Sequence, residues 1–294
     1  MRLLRYRESV TYADTIVPAL EGGPEVAEQV IELLRQEWAV IDHLIDGLTE
    51  TQWKSAVPLP GWTVQDCVAH VTGTELSLMG EPAPSVDLSH LTWVTGPFQE
   101  FVEIWVEPRR SWSGDAVAAE FREVIPRRLA MLEAMTDEEM GKVGWSPIGE
   151  VPYRQFMRVR VFDCWMHEQD MRRGLAIAGH TTGPVVESAL EHNITRALGF
   201  VVGKKAGAPD GSSVQFDLSD PDRSYTVIVD GRARLAKPGE ELPAATTVLH
   251  LPFTTFVALA GGRIDAAVAH AEGATITGDT DLGARVLANL AFTP

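Results

Sequence analysis

The sequence has few cysteines and little positive charge. Its two cysteines, Cys67 and Cys164, are too few for a disulfide framework, so a reducing compartment is expected. The 25 lysines and arginines are outnumbered by 41 aspartates and glutamates. Because nucleic acids and anionic membranes attract basic patches, this balance argues against both as partners.

Long apolar runs are also missing. No run approaches the roughly 18 residues that a membrane span needs, and no apolar leader with a small-residue cleavage site stands at the start. We therefore expect a soluble, cytoplasmic protein that binds neither nucleic acid nor membrane.

What the chain does contain is enough apolar material for packed cores: 45% of its 294 residues are hydrophobic, which suits one large domain or two ordinary ones. After an irregular start, apolar residues recur every three or four positions, a period that predicts helices. The predicted helices cover 26–48, Val64 to Leu78, Phe98 to Val106, Asp115 to Met135, Tyr153 to Leu175, and a last segment that begins at Pro184.

Beyond the break GKKAGAPDGSS the apolar period changes to two, which predicts strands in SVQFDLS, SYTVIVD, RARLA and TTVLHL. Helical patterns in TTFVALAGG and RIDAAVAHA, a short strand in ATITG and a closing helix in TDLGARVLANLAF follow. Helices first and strands second indicate an α+β protein of two domains, 1–205 and 206–294, with the boundary near Ala206.

The stretch VRVFDCWMHEQDMRRG contains the clearest candidate functional residues of the chain. Asp163 and His167 lie four residues apart, hence on one face of a helix that is apolar on most sides. Burying an unpaired carboxylate costs several kcal/mol, so a partner is expected. In a helical bundle His70, on the helix after PGW, can meet these two side chains in the core. Two imidazoles and one carboxylate leave a fourth position open, as in catalytic zinc sites.

Spacing alone leaves other assignments open. A lone helical histidine is more often a core or surface residue than a ligand. Asp66 lies four residues before His70, so it competes for the same role. Cys67 and Cys164 each lie three residues before a proposed ligand, although both are interpreted here as small buried hydrophobic residues.

We interpret the remaining histidines as residues without a role in metal binding or catalysis. His90, His180 and His192 lie in loops or on a solvated face and are expected at the surface. His250 alternates with its neighbours in a strand, and His270 stands near a helix end. The sequence shows no phosphate loop, serine-hydrolase elbow or HExxH motif.

Two segments resemble a known family. The stretch PGWTVQDCVAH, followed by RVFDCWMHEQDMRR, resembles the actinobacterial branch of the DinB-like superfamily, whose best understood type is the mycothiol-dependent maleylpyruvate isomerase. The segments LPFTTFVALAGGR and GATITGDTDLGARVLANL resemble the sterol carrier protein-like domain that accompanies that bundle. The resemblance implies a four-helix bundle followed by a small α/β sandwich.

The resemblance also implies a ligand set. It places a divalent metal, usually zinc, on His70, Asp163 and His167, although the isomerase type carries glutamate where this chain has Asp163. The shorter side chain requires a metal closer to its helix, or a contact through water. Asp170 falls in the family pattern HxxD, where it orients a ligand histidine, or else is a helix-end carboxylate paired with Arg172 or Arg173.

These residues support a metal-dependent thiol enzyme as the first hypothesis. A metal with an open position can take the proton from a small thiol and present the thiolate to an electrophile. The outcome is an S-transferase or a cis–trans isomerase, of which we favour the transferase; the resemblance implies mycothiol as the thiol. The alternatives are a non-catalytic protein that binds a small apolar ligand and a metal-dependent hydrolase. Bundles of this type often pair, so a homodimer stays open.

Overall fold

The computed structural model describes residues 24–293, and side chains from residue 27 onwards. The predicted irregular start lies outside the described residues. Of the described residues, 24–144 and 152–180 form one compact unit, which is helical, and 145–151 with 181–293 form a second, which contains a five-stranded sheet. The predicted class, α+β with two domains, is confirmed.

The helical unit is built around a four-helix bundle. Its helices are α1 (Pro24–Ile45), α2 (Glu50–Trp53), α3 (Val64–Leu78), α4 (Pro97–Val106), α5 (Gly114–Ala134), α6 (Asp137–Gly141) and α7 (Tyr153–Leu175). Helices α1 and α3 each pack against both α5 and α7, which closes the bundle. Among the helices of the described part of the chain, none combines the length and apolarity that a membrane crossing requires.

The bundle core follows from the apolar spacing of its helices. On α1, Leu34, Trp38 and Ile41 are fully buried at intervals of three and four residues. Helix α3 begins where its capping signal predicts: Asp66 accepts a hydrogen bond from the Thr63 backbone N–H at 2.7 Å. The helices predicted over 64–78 and 153–175 begin and end at those residues.

Helices α3 and α4 approach closely at Gly73. A Cβ atom built on Gly73 would lie 2.5 Å from the Trp105 Cβ, far inside van der Waals contact. Because the nearest atom is a Cβ and not the tip of a flexible side chain, α4 itself would have to shift. Only glycine lets the two helices pack at this distance.

We expect Gly73→Ala to destabilise the protein by about 1–3 kcal/mol through overpacking, although alanine is the better helix former by about 1 kcal/mol. Chemical denaturation followed by circular dichroism measures the change. Gly144→Ala is the control, since a Cβ there has no neighbour within 4 Å. A Gly73→Ala variant as stable as the wild type would contradict the close approach.

The second unit begins with an interrupted helix and continues as a sheet. The helical part comprises α8 (Pro184–Ala189) and α9 (Thr195–Phe200), each followed by a π-helical turn, Leu190–Ile194 and Val201–Lys205. The later elements are β3 (Ser213–Ser219), β4 (Arg223–Asp230), β5 (Arg232–Leu235), β6 (Thr247–Pro252), α10 (Phe253–Ala260), α11 (Ala266–Ala271), β7 (Thr275–Gly278) and α12 (Thr280–Ala288).

The sheet has the strand order β5-β4-β3-β6-β7, with β3 and β6 parallel and the other pairs antiparallel. Gly199, on the helical segment that precedes the sheet, lies against β5: a Cβ there would be 3.1 Å from the Ala233 carbonyl oxygen. This contact groups residues 184–205 with the sheet. The domain bounds 1–205 and 206–294 stay a prediction from the sequence.

One hairpin was not predicted from the sequence. Strands β1 (Val143–Ser146) and β2 (Gly149–Pro152) pair through a tight turn, in which the Ser146 hydroxyl donates to the Gly149 carbonyl at 2.7 Å. Each strand has four residues, too few for a recognisable alternation of apolar and polar side chains.

Candidate metal centre

The structure brings together the three predicted ligands. His70 lies on α3, and Asp163 and His167 lie one turn apart on α7. The His70 Nε2 atom is 3.3 Å from Asp163 Oδ2, and the His167 Nε2 atom is 3.7 Å from Asp163 Oδ1. One donor atom from each residue falls within 4.8 Å of the others. Two nitrogen donors and one carboxylate therefore converge on one centre.

The cluster is buried except on one side. Both imidazoles are buried, whereas 32% of the Asp163 side chain is exposed. A small molecule can thus reach the cluster past the carboxylate, while the histidine side is closed by the bundle core.

Trp62 covers both imidazoles. Its ring centroid lies 5.5 Å from that of His167 in a stacked arrangement and 5.5 Å from that of His70. The Trp62 indole N–H donates to Glu103 at 2.8 Å, which fixes the ring. Gly61, with φ +73°, forms the turn that brings Trp62 to this place. The PGW turn is visible in the sequence, but nothing in its spacing predicts that Trp62 lies against the two histidines.

A buried ion-pair network extends from Asp163 into the core. The Arg160 guanidinium pairs with Asp163 Oδ2 and also donates to Glu75 at 2.8 Å. The other Glu75 oxygen accepts from Arg128 at 2.8 Å. None of the residues that join Asp163 in this network was predicted from the sequence, although Arg160 stands three positions before Asp163, on the same helix face.

This network supplies the partner that the buried carboxylate requires. Burial alone would raise the pKa of Asp163, but the Arg160 guanidinium and then His70 outweigh it and hold that pKa well below its usual range. Burial lowers the pKa of His70. At neutral pH the cluster therefore offers an ionised carboxylate beside an unprotonated His70.

Asp170 lies beside His167. Its Oδ2 atom is 3.2 Å from the His167 Nδ1 atom. The pair lacks hydrogen-bond geometry, and the buried His167 Nδ1 has no hydrogen-bond partner within the described residues, so Asp170 lies near the ring without fixing its tautomer. The alternative partner Arg172 instead pairs with Glu168.

The competing ligands lie elsewhere. Asp66 pairs with Arg110 at 3.0 Å and caps α3, so it is not part of the cluster. Cys67 and Cys164 are both buried, as interpreted from the sequence. Burial raises the pKa of the Cys164 thiol, which makes it a poor nucleophile and ligand.

The expectation that His180 lies at the surface is wrong. Its side chain is 14% exposed, and its Nδ1 atom lies 2.6 Å from Glu168 Oε2. The loop that carries it is polar and glycine-rich, which favours solvent, but the Trp165 indole N–H donates to the His180 carbonyl and holds the loop inward. His90, in contrast, is 58% exposed, as expected.

The residues of the centre fit a divalent metal. The donors are two imidazole nitrogens and one ionised carboxylate, the set that zinc takes in catalytic sites. The 3.7 Å between His167 Nε2 and Asp163 Oδ1 is too long for a hydrogen bond. The two imidazoles lie beside different oxygens of the same carboxylate, His70 beside Oδ2 at 3.3 Å and His167 beside Oδ1 at 3.7 Å.

Comparison with known families identifies both parts of the chain. Residues 34–172 match the mycothiol maleylpyruvate isomerase N-terminal domain, and residues 191–285 match the C-terminal domain of the same family. The chain belongs to the mycothiol-dependent maleylpyruvate isomerase family. The N-terminal match includes all three predicted ligands, and the C-terminal match includes the five-stranded sheet.

Two solved structures of this family share the fold. The crystal structures of the mycothiol-dependent maleylpyruvate isomerase, and of a histidine-to-alanine mutant of it, each superpose with a TM-score of 0.54 at 17% identity. Each comparison covers 85% of this chain and 92% of the isomerase chain. Among curated proteins, none matches the chain.

Proposed function

We propose that the chain is a metal-dependent, mycothiol-utilising enzyme that adds the thiol to a small electrophile. The observation that carries this proposal is the convergence of His70, Asp163 and His167 in a centre that is buried on the histidine side and reachable past Asp163. Membership of the isomerase family supports the choice of thiol.

A zinc ion held by these three residues would lower the pKa of a bound thiol and so supply a strong nucleophile at neutral pH. Both histidines already place nitrogen atoms where such an ion would bind. His70 offers a lone pair because burial keeps it unprotonated. His167 places its Nε2 atom beside Asp163, and Asp170 lies 3.2 Å from its other ring nitrogen.

Other residues keep the site ordered and dry. Trp62 covers both imidazoles and limits access of water from that side. Arg160 holds Asp163 in place and keeps its carboxylate ionised. These fixed groups lower the reorganisation that the reaction requires, since the ligand side chains already lie near one another.

Between the two outcomes of thiol addition we favour S-transferase chemistry. A transferase needs one bond to form between sulfur and the carbon of the electrophile. An isomerase needs in addition that the adduct rotate about the former double bond and then release the thiol, which demands a narrower substrate. The structural neighbours are named isomerases, and assays with maleylpyruvate as the electrophile distinguish the two outcomes.

Metal analysis tests the proposal. The protein is purified without a metal-affinity tag, analysed by inductively coupled plasma mass spectrometry and compared with His70→Ala. We expect the wild type to carry one more equivalent of zinc than the variant and to consume mycothiol in the presence of an electrophile. Equal metal content in both proteins would contradict the metal centre; metal without thiol consumption would contradict the reaction.

Exchange of the carboxylate gives a graded test. We expect Asp163→Asn to weaken zinc affinity at this centre at least about 100-fold, because the charged ligand is lost while the shape is kept. Asp163→Glu, which restores the family's usual residue, should stay within about tenfold of the wild type. Competition with a chromophoric chelator measures both affinities. Equal affinities of Asp163→Asn and the wild type would show that Asp163 is not a ligand.

A further inference from the structure

A second cluster of ligand-type side chains lies elsewhere in the helical unit. It consists of Glu37 on α1, Glu168 on α7 and His180 in the loop after α7. His180 Nδ1 lies 2.6 Å from Glu168 Oε2 and 3.6 Å from Glu37 Oε2. As in the first cluster, one donor atom from each residue falls within 4.8 Å of the others.

Glu37 is a buried carboxylate that nothing among the described residues stabilises by a hydrogen bond. It is 0% exposed, and neither of its carboxylate oxygens has a hydrogen-bond partner within the described part of the chain. An unpaired buried carboxylate is strongly unfavourable, and few such groups occur in folded proteins. Its Oε2 atom lies 3.6 Å from His180 Nδ1, so this cluster is where a partner for that oxygen can bind.

The charges of the cluster also favour a bound cation. Glu168 and Glu37 are both fully buried, and the Arg172 guanidinium, bound to the other oxygen of Glu168, balances one of them. One guanidinium cannot balance two buried carboxylates, so a further positive charge is expected in the cluster.

A proton on Glu37 would remove the charge but would not satisfy the group. A carboxylic acid still has to donate its hydrogen bond, and His180 Nδ1, at 3.6 Å, is out of range. A divalent ion requires donors about 3.4 Å apart in a tetrahedral site, which is close to that separation. The shorter contact between His180 and Glu168 would have to open by less than an ångström.

The loop that carries His180 is held in place by its backbone. Trp165 and Gln169 both donate to the His180 carbonyl at 3.2 Å, and the residue adopts a left-handed conformation with φ +49°. A non-glycine residue in that region is uncommon and is retained where the surroundings fix it. His180 is thus positioned by α7 to face Glu168 and Glu37.

We propose that Glu37, Glu168 and His180 bind a second divalent transition-metal ion, which links α1, α7 and the loop after α7. Mixed carboxylate and imidazole ligands suit Zn²⁺ or Mn²⁺, whereas Ca²⁺ prefers oxygen ligands alone. Because Glu37 and Glu168 are fully buried, the ion is structural and takes no part in catalysis.

Metal titration on a first-site variant tests this proposal. His70→Ala with His167→Ala removes the first centre and leaves the second cluster unchanged. After chelator treatment and desalting, the protein is titrated separately with Zn²⁺ and with Mn²⁺ by calorimetry. We expect one equivalent of one of these ions to bind and to raise the unfolding temperature, since an ion that binds only the folded state stabilises it. Binding of neither ion would overturn the proposal.

Substitution of Glu37 then assigns the ion. In the same background Glu37→Gln, which keeps the shape and removes the charge, should weaken binding at least about 100-fold. Glu28→Gln, an exposed carboxylate on the same helix, should leave it unchanged. Undiminished affinity in Glu37→Gln would overturn the assignment. If that variant fails to fold, His180→Asn replaces it, because asparagine tolerates a positive φ.

The result is independent of the proposed function. Metal that is kept in His70→Ala and lost in Glu37→Gln supports the second site even if the first centre binds nothing. Metal that is lost in His70→Ala and kept in Glu37→Gln supports the first centre and overturns the second.

Discussion

His167→Ala is expected to lower kcat/KM for the addition of mycothiol to an electrophile about 1000-fold. That factor corresponds to about 4 kcal/mol of transition-state stabilisation, which is within what a metal ion supplies by activating a nucleophile. The variant removes one nitrogen donor of the centre and the ring that stacks beneath Trp62. Steady-state consumption of the thiol, followed with a thiol reagent, measures the change.

The control for this variant is His90→Ala. His90 is exposed and pairs with Glu107, away from the centre, so its loss should change kcat/KM by less than a factor of two. Circular dichroism confirms that both variants are folded. An activity of His167→Ala within tenfold of the wild type would remove this histidine from the proposed reaction.

Glu75→Gln is expected to be the most destabilising single substitution proposed for the bundle. Arg128 and Arg160 are both buried, and Glu75 provides the carboxylate that both contact. Removing one partner of a buried ion pair typically costs about 3–5 kcal/mol. We expect a loss of this size because Arg128 stays buried and loses its carboxylate partner, although Arg160 keeps Asp163. For a domain of this size we expect the unfolding temperature to fall by roughly 10 °C.

Thermal unfolding of Glu81→Gln provides the comparison. Glu81 pairs with Arg127 at the surface at 2.9 Å, and exposed pairs contribute about 0–1 kcal/mol. A shift for Glu75→Gln no larger than that for Glu81→Gln would show that the buried network is not important for stability. Metal-free protein should be used for both, so that loss of a bound ion does not add to the difference.

The fold could be predicted where local sequence and packing agree. Helix α3 has a capping residue at Thr63, and α7 ends where Ala176 adopts a left-handed conformation just after Gly174. Strand β3, SVQFDLS, alternates apolar and polar residues along its length. The π-helical turns could not be predicted from the sequence, because they change the backbone hydrogen-bond register without changing which residues are apolar.

That the three candidate ligands lie together was predictable, but their surroundings were not. Asp163 and His167 share a helix face, so their spacing shows that they meet. Glu75 meets Arg160 across 85 residues of sequence, and no local pattern reports such a contact. His180 was misplaced for the same reason: its polar, glycine-containing loop is typical of a surface segment, and the contacts that turn it inward come from α7.

Arg160 gives the chain a counterion of its own for Asp163. In small zinc modules the ion is needed before the polypeptide can fold at all, so folding and metal supply are one event. Here the guanidinium already balances the carboxylate at the first centre. The bundle can therefore fold without an ion at the proposed first centre, and binding of an ion there would be an event separate from folding.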